Sequence, residues 1–155
     1  MVDVVQVRAQ PLTRTAFAPY GQVLSSEPDL AEIGTRDGEE FMLNILTYAY
    51  RELRCDHLNA HHRATQALFA MGRPALLVVA PAGTAFDDHA ALDGVEAFVI
   101  DGTAGVNLAY GTWHWGPYPL GDEVSLINLQ GRGFADDNEV AQLERDLNVV
   151  IEVLL

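Results

Sequence analysis

The chain contains no lysine. All nine of its basic residues are arginine, set against 22 aspartates and glutamates, which gives a formal net charge of -13. Without lysine, the protein has no amine for Schiff-base formation and no lysine base whose pKa burial could lower. A strongly acidic chain also lacks the basic stripe that neutralises the phosphates of nucleic acid or of an anionic membrane. The sequence therefore predicts neither nucleic acid nor membrane as a partner.

Cysteine is almost absent, and no apolar run is long. Cys55 is the single cysteine, so no intrachain disulfide can form, a pattern typical of a reducing compartment. The longest apolar run, Ala75 to Ala80, is far shorter than the roughly 20 residues that cross a bilayer. Residues 1–8 show no basic start followed by an apolar core. We therefore expect a cytoplasmic protein without an export signal or a membrane anchor.

What the sequence does contain indicates one folded domain. Its 155 residues are 49% hydrophobic and 20% charged, which is a globular composition. A chain of this length buries enough surface to fold without the help of a metal or a disulfide. Because the sequence shows no linker, internal repeat or low-complexity tract, we expect a single domain over residues 1–155.

Short apolar segments separated by turn residues dominate the chain after residue 40. Val5, Val7 and Ala9 recur at every second position, which predicts a first strand, and a capped helical turn over 13–21 follows. Residues 25–40 are polar and predict a loop. We then expect strands at Phe41–Tyr50, Gln66–Met71, Ala75–Ala80, Val95–Asp101, Val106–Tyr110, Val124–Leu129 and Asn148–Leu155, and a helix at Asp136–Leu147. This pattern is typical of a mainly β fold, an antiparallel barrel or sandwich with one or two short helices.

The predicted strand Phe41–Tyr50 is apolar on both faces. Leu43 and Ile45 lie on one face, and Leu46 and Tyr48 lie on the other. Such a strand must be covered on both sides. A partner subunit would supply the second cover, which indicates a homodimer, and a sandwich with a covering helix explains the pattern equally well.

Two histidine-bearing segments carry the candidate chemistry. In Asn59-x-His61 both side chains project from the same face of a strand, and Gln66 follows five residues later on the neighbouring strand. A glycine turn precedes a further imidazole at His114. We predict that His61, Gln66 and His114 converge on one pocket, with Asn59 or His57 as a fourth contact.

The sequence leaves two interpretations of these histidines open. His61 and His114 can act as general acid and base, and together with Gln66 they can also hold a divalent metal. Alternatively, His61 is a surface loop residue and His114 is packed between two tryptophans. Two imidazoles with neutral amides and no carboxylate make a poor site for a hard cation. The cofactor therefore stays open between a divalent metal and none.

Four further residues are candidate substrate-binding groups. The Arg63 guanidinium and the Asn107 amide could orient a carboxylate through paired hydrogen bonds. Tyr110 and Trp113 would line an apolar wall of the same pocket. For Arg63 and Asn107 the other interpretation is a structural or solvated residue.

Several segments resemble one known family in order and spacing, over most of the chain. They are Leu12–Gly21, His61 with Thr65-Gln66-Ala67, Pro74–Pro81, Gly105-Val106-Asn107 and Gly111-Thr112-Trp113-His114. The chain resembles the ureidoglycolate lyases, also called ureidoglycolate hydrolases, which are cupin-fold dimers of about this length. The resemblance implies a single cupin-like domain and a homodimer.

The resemblance also implies a reaction. Family members act on a small-molecule substrate of purine degradation, releasing urea from ureidoglycolate to give glyoxylate. An elimination of this kind needs a base for the hydroxyl proton and an acid for the leaving nitrogen. His61 and His114 would be the acid–base pair, and Gln66 and Asn107 would orient the substrate.

The chain departs from the family at several pocket positions. The family usually reads Glu-Arg-His where this chain has Asn59-Ala60-His61, and Tyr-His-Arg where it has Leu108-Ala109-Tyr110, while Trp115 replaces a further histidine. These departures favour, as the alternative, a diverged cupin enzyme acting as a cyclase, isomerase or lyase on a larger, more apolar metabolite, or a non-catalytic ligand-binding cupin. Pocket polarity discriminates between these functions, because a glyoxylate-sized ligand needs an inward arginine.

Overall fold

The fold is built almost entirely of β-strands. The structure, a computed structural model, describes residues 1–26 and 30–155. The strands are β1 Asp3–Pro11, β2 Gly21–Leu24, β3 Phe41–Ala49, β4 Arg54–Cys55, β5 Leu58–Ala60, β6 Gln66–Ala70, β7 Ala75–Ala80, β8 Glu96–Ile100, β9 Gly105–Leu108, β10 Trp113–Pro119, β11 Glu123–Gly131, β12 Glu139–Ala141 and β13 Val149–Leu154. The helices are α1 Arg14–Phe17, a 3-10 helix at His89–Gly94, and α2 Leu143–Leu147. None of the described helices is long and apolar enough to span a bilayer.

The strands form two curved sheets. The larger sheet has eight strands in the order β12-β5-β10-β7-β8-β1-β13-β4, and the smaller has five in the order β2-β9-β6-β11-β3. Strand β1 runs parallel to both β8 and β13, and the other pairings of the named strands are antiparallel. The expected mainly β, cupin-type fold is confirmed, with two parallel pairings that the strictly antiparallel expectation did not include.

Strand β7 separates two hydrophobic cores. Leu77 and Val79 pack with Phe98 and with side chains of the five-stranded sheet. The alternate residues, Leu76 and Val78, belong to a second core. That core also contains side chains of β13, at the far side of the same curled sheet, and of α2. Because both faces are covered, all of β7 is buried, which explains its uninterrupted apolar sequence.

The helix expected at Asp136–Leu147 is wrong over most of its length. Residues Glu139–Ala141 form β12, which pairs with β5, and the helix is limited to Leu143–Leu147. It ends at Asn148, whose φ of 56° is left-handed and whose N–H donates to the carbonyl of Glu144. The apolar spacing of this segment fits a helix. The segment instead forms a strand because its backbone hydrogen-bonds to β5, a contact distant in sequence that local spacing cannot predict.

The start of the chain follows the sequence expectation closely. Thr13 caps α1, its hydroxyl accepting a hydrogen bond from the Ala16 N–H at 3.2 Å. The polar stretch 25–40 lacks regular structure where it is described, apart from a single bridge between Thr35 and Ala64. Residues 27–29 of that predicted loop lie outside the described residues.

Strand β3 has one covered and one exposed face. Asn44 and Tyr48 point inward, whereas Ile45 on the outer face is 54% exposed. In the strand register Ile45 lies beside Ile127, and Ile127 lies beside Phe69, so an apolar row crosses three neighbouring strands. That row is exposed in the described part of the chain. No described residue of the same chain therefore provides the cover that the sequence predicts for the second face of this strand.

Candidate active site

A cavity of about 410 Å³ opens between the two sheets. Its walls come from β3, β5, β6, β10 and β11 and from the connection between β11 and β12. Amides, imidazoles and aromatic rings dominate the lining, which comprises Asn44, Leu46, Tyr48, Asn59, His61, Gln66, Leu68, His114, Trp115, Gly116, Pro117, Gln130, Phe134, Ala135 and Asn138.

The two predicted imidazoles meet in this cavity. Strand pairing sets His114 of β10 beside Asn59 of β5, so both side chains project from the same face of the larger sheet. His61 lies two residues after Asn59 and projects the same way. The ring centroids of His61 and His114 are 5.4 Å apart. The structure therefore brings together two histidines that are 53 positions apart in the sequence.

Hydrogen bonds to backbone carbonyls fix the tautomer of both rings. Nδ1 of His61 lies 2.6 Å from the carbonyl oxygen of Asp137, and Nδ1 of His114 lies 3.0 Å from that of Thr112. A carbonyl can only accept, so each Nδ1 must carry the proton. Each neutral ring then keeps its lone pair on Nε2, the nitrogen that is left for a ligand.

Burial makes His114 a neutral base. Desolvation, reinforced by the neighbouring His61, lowers the pKa of His114 to about 4, although the Thr112 carbonyl acts in the opposite direction. At neutral pH the ring is therefore unprotonated. A histidine in this state can accept a proton, and it can also donate its Nε2 lone pair to a cation.

Gln66 contributes a third acceptor through an amide network. Its Nε2 donates to Asn128 Oδ1 at 2.9 Å and to Gln130 Oε1 at 3.3 Å, while Asn128 Nδ2 donates to Asn44 Oδ1 at 2.9 Å. With its nitrogen held this way, Gln66 turns its oxygen in the other direction. Gln66 Oε1 is buried and has no hydrogen-bond partner among the described residues. A buried acceptor without a partner costs free energy, which makes Gln66 Oε1 a candidate contact for a ligand.

Asp137 holds the segment that carries His61. Its carboxylate accepts from the backbone N–H of His62 at 2.9 Å and of Arg63 at 2.7 Å, while its carbonyl accepts from His61. The Arg63 guanidinium donates to the carbonyl of Gly133 and lies 3.9 Å from the Asp137 carboxylate. Arg63 thus braces the loop and does not line the cavity, unlike its predicted role.

The remaining predicted substrate-binding residues lie elsewhere. Asn107 pairs in register with Ala67, on the face of β9 opposite to that of Gln66, and its amide donates to Gln22 and to the Glu32 carbonyl. The structure therefore does not bring Asn107, Tyr110 or Trp113 to the cavity.

Each of these side chains has a different partner. The Tyr110 ring lies 3.6 Å from the guanidinium carbon of Arg36. Trp113 packs in the second core and donates its Nε1–H to the carbonyl of Thr84. His57, the alternative fourth contact, packs against Trp115 with tilted rings and 3.9 Å between ring centroids, and Asn59 takes its place in the lining.

Most residues of the cavity wall were not predicted from the sequence. Asn128 and Gln130 alternate along β11 with apolar residues of the opposite face, and Asn44 interrupts an apolar strand. Polar residues at every second position of a buried strand are a signal that could have revealed this wall. Phe134 and Asn138 lie in a connection, where periodicity gives no such signal.

The site offers a metal only neutral ligands. Among the described residues, no group of three or more histidine, cysteine, aspartate or glutamate side chains is placed to hold an ion. The atoms available are the two imidazole Nε2 atoms and Gln66 Oε1. Nitrogen and amide oxygen suit a borderline cation in type, but no carboxylate offsets its charge.

Comparison with known proteins identifies the family of the chain. The ureidoglycolate lyase family model matches residues 36–150. The chain belongs to the ureidoglycolate lyase family. The ureidoglycolate lyase of Burkholderia mallei is 35% identical over 145 residues, covering 80% of this chain and 81% of that protein. The enzyme of Pseudomonas syringae pv. tomato is 32% identical over 162 residues, covering 92% of this chain and 93% of that protein.

Among solved structures, RmlC from Streptococcus suis in complex with dTDP-D-xylose aligns with a TM-score of 0.46 and 15% identity. The alignment covers 59% of this chain and 44% of that chain. The matched family segment contains His61, Gln66 and His114, so the histidine pair lies within the part of this chain that the ureidoglycolate lyase family shares. Family membership confirms the resemblance seen in the sequence and implies a small-molecule substrate.

Proposed function

We propose that the chain catalyses release of urea from ureidoglycolate to give glyoxylate, with His61 and His114 as the acid–base pair. One observation carries the proposal: two imidazoles from distant segments enter the same cavity with 5.4 Å between their centroids. The cavity, at about 410 Å³, has the size of a small-molecule site.

In this mechanism His114 is the base. Its neutral Nε2 accepts the hydroxyl proton of the carbinol carbon, and the carbon–oxygen double bond forms as the carbon–nitrogen bond breaks. The leaving nitrogen takes the electron pair of that bond and a proton from Nε2 of a protonated His61. One proton enters His114 and one leaves His61, so atoms and charge balance. His61 is only half-buried, which lets proton exchange with water reset the pair.

Kinetics of single variants test this pair. His61→Ala and His114→Ala should each lower kcat for urea release by roughly 10²- to 10⁴-fold, the usual contribution of a general acid or base. His89→Ala is the matched control, because His89 is an exposed histidine on the 3-10 helix, outside the cavity. Circular dichroism checks that each variant folds. Unchanged rates in both cavity variants would exclude the pair from the chemistry.

A divalent metal is a separate prediction for the same atoms. His61, Gln66 and His114 would hold the ion, which would polarise the substrate hydroxyl as a Lewis acid. Metal binding and proton transfer by the same Nε2 atoms exclude each other, so treatment with a chelator decides between them. Activity lost on chelation and restored by zinc, nickel or manganese would support the metal. Full activity in chelator would contradict it.

A second candidate function is supported by the aromatic wall. Tyr48, Trp115 and Phe134 line the cavity, which favours a larger and more apolar metabolite as the substrate of a diverged cyclase, isomerase or lyase, or as the ligand of a non-catalytic protein. Urea release from ureidoglycolate by the wild type would exclude the non-catalytic function. No release, with or without added metal, would contradict the proposed lyase.

We also propose that the chain acts as a cytoplasmic homodimer in purine degradation. The dimer is supported by the exposed row of Ile45, Ile127 and Phe69, which a second copy would cover. The cytoplasmic location is supported by the single cysteine, Cys55, which is buried and unpaired. The pathway is supported by family membership alone.

A further inference from the structure

We propose that Arg51 recognises the carboxylate of the substrate, at the end of the cavity lined by Tyr48, Trp115 and Pro117. This makes Arg51 a specificity-determining residue of the site. The inference rests on the proposed function, because it assigns a binding group for the substrate of the same histidine pair. It is drawn from the position of the guanidinium, its unused N–H groups and its unpaired charge.

The Arg51 guanidinium lies next to three residues of the cavity lining. Arg51 is in the connection that follows β3, two residues after Ala49. Its Nη2 donates to the carbonyl of Pro117 at 3.2 Å, and its guanidinium carbon lies 5.3 Å from the centroid of the Trp115 ring and 5.4 Å from that of Tyr48. These three partners line the cavity, although Arg51 itself is not one of the lining residues. The positive charge therefore adjoins the cavity wall.

Part of the donor capacity of this guanidinium is unused. Arg51 is half-buried, and its Nε is buried without a hydrogen-bond partner among the described residues. Nη1 also donates to no described residue, so the Pro117 carbonyl occupies only one of the three nitrogen atoms. A buried N–H without an acceptor costs free energy, which a ligand that accepts from it would recover. Hydrogen bonds from a guanidinium to a carboxylate are among the strong ones in proteins.

The charge of Arg51 has no carboxylate partner. Among the described residues, Arg63, Arg132 and Arg145 form ion pairs with aspartate or glutamate, whereas Arg51 forms none. The Tyr118 ring, 4.4 Å from the guanidinium carbon, holds the group by a cation–π contact but does not neutralise it. The chain has 22 acidic residues, so carboxylates are not scarce. Because charges removed from water are normally paired, this one indicates that an anionic ligand completes the site.

The chemistry of the substrate requires such a group close to the histidines. The carboxylate carbon of ureidoglycolate is bonded to the carbinol carbon on which the pair acts. Trp115 directly follows His114 on β10, and consecutive Cα atoms are about 3.8 Å apart, so a ligand at His114 is close to this end of the cavity. In the proposed mechanism the protonated His61 serves the leaving nitrogen, and Arg63 is engaged with the loop that it braces. Arg51 is then the cation left for the carboxylate.

Two matched substrates and a variant without the charge test the assignment. Urea release from ureidoglycolate and from its primary amide, which lacks the carboxylate, is followed for the wild type and for Arg51→Met. We expect Arg51→Met to lower kcat/KM for the acid by roughly tenfold to hundredfold, mainly through a higher KM, which is the range for hydrogen bonds to charged groups. For the amide, kcat/KM should change by less than about threefold, since its neutral group needs no cation. A purely structural role would affect both substrates alike, so a parallel loss would overturn the inference.

Two further variants control for net charge and for packing. Arg36→Met also removes a guanidinium that stacks on a tyrosine, with 3.6 Å to the Tyr110 ring, but it lies outside the cavity lining and should leave both substrates unchanged. Arg51→Lys keeps the positive charge and should lose less activity toward the acid than Arg51→Met. An equal acid-specific loss in Arg36→Met would show a general effect of net charge and overturn the assignment. Equal losses in Arg51→Lys and Arg51→Met would overturn it too.

Binding measurements separate this inference from the proposed reaction. If the wild type releases urea from neither compound, the proposed elimination fails, and calorimetric titration with ureidoacetate and ureidoacetamide, which lack the hydroxyl, decides the inference by itself. The wild type should bind ureidoacetate at least about tenfold more tightly than ureidoacetamide, and Arg51→Met should remove that preference. Equal or weaker binding of ureidoacetate by the wild type, binding of neither compound, or the same preference in Arg51→Met would overturn the inference. The wild-type comparison stays decisive even if Arg51→Met does not fold.

Discussion

The five-stranded sheet buries polar side chains on its inner face and exposes apolar side chains on its outer face, which is the reverse of the usual distribution in a globular protein. On the inner face, Asn128 is fully buried at the centre of an amide network, with Gln66 and Gln130 beside it. On the outer face, Ile45 and Ile127 are exposed next to each other on neighbouring strands. Buried amides and exposed branched aliphatic residues each have an energetic cost, so both faces indicate a function rather than folding alone.

One strand can contribute to both faces because its side chains alternate. Along β11, Asn128 points inward to the amide network with Gln66 and Asn44, while Ile127, one residue apart, points to the outside. A polar residue kept at the buried positions indicates a ligand, and an apolar residue kept at the exposed positions indicates a partner protein. The contrast can be tested by changing one face at a time.

The largest expected effect on stability concerns the cavity and its pH dependence, through His114 of the eight-stranded sheet. The pKa of His114 is about 4 in the folded protein and near 6.5 in the unfolded chain. Between these values the unfolded chain binds a proton that the folded protein excludes, so stability is complete above pH 6.5 and falls as the pH drops toward 4. The loss approaches about 3 kcal/mol at the acid end of this window.

Chemical denaturation at a series of pH values measures this loss. Many carboxylates titrate in the same range, so the test is the difference between the wild type and His114→Asn. The variant lacks the ionisable ring and should lose less stability between pH 6.5 and 4. Parallel curves for the two proteins would show that His114 does not resist protonation in the folded state.

The second prediction removes the centre of the amide network. Asn128→Leu leaves Gln66 with only its longer hydrogen bond to Gln130 and deprives Asn44 of its donor. We expect a loss of about 1–3 kcal/mol in the free energy of unfolding, because buried polar groups then lack partners. Ile127→Val, one residue away on the outer face, is the control and should change the stability of the monomer by less than about 0.5 kcal/mol. Equal stabilities of the two variants would remove the distinction between the faces.

The strands and the histidine pair could be predicted from the sequence because both depend on local spacing. An uninterrupted apolar run between turn residues located β7 at its observed bounds, and the two-residue spacing of Asn59 and His61 placed both on one face. Strand β5 was assumed for Asn59 and His61 but not bounded, and it has only three residues and ends at Ala60. Strand β10 was not predicted, since it contains Gly116 and Pro117, which normally interrupt strands. Their existence depends on pairing with neighbours that the local pattern does not contain.

Asn107 shows why the rest of the site was beyond sequence reasoning. Its strand was predicted, but the sequence does not say which of two alternating faces turns inward. The register sets Leu108 beside Gln66, so Leu108 faces inward and Asn107 faces outward. A shift of one residue along the strand therefore decides whether a side chain faces the cavity or packs on the opposite side of the sheet. The same uncertainty applies to Trp113, whose neighbour His114 lines the cavity in its place.

The third prediction addresses the outer face and has the smallest effect on the chain itself. Ile45→Glu places a carboxylate at one end of the row formed by Ile45, Ile127 and Phe69. If a second copy covers this row, the charge is buried without a partner, and the homodimer should dissociate to monomers. Because Ile45 is 54% exposed in the single chain, the monomer itself should change in stability by less than about 0.5 kcal/mol.

Sedimentation velocity over a range of concentrations measures this change. Val4→Glu adds the same charge on the eight-stranded sheet, at a residue that is 50% exposed, and should leave the dimer intact. This control separates burial of the row from the general repulsion between strongly acidic chains. A wild type that is monomeric at every concentration, or an Ile45→Glu variant that stays dimeric, would mean that the exposed row has another occupant. The buried polar side chains on the inner face would then still indicate a ligand site, but the exposed apolar row would no longer indicate a homodimer.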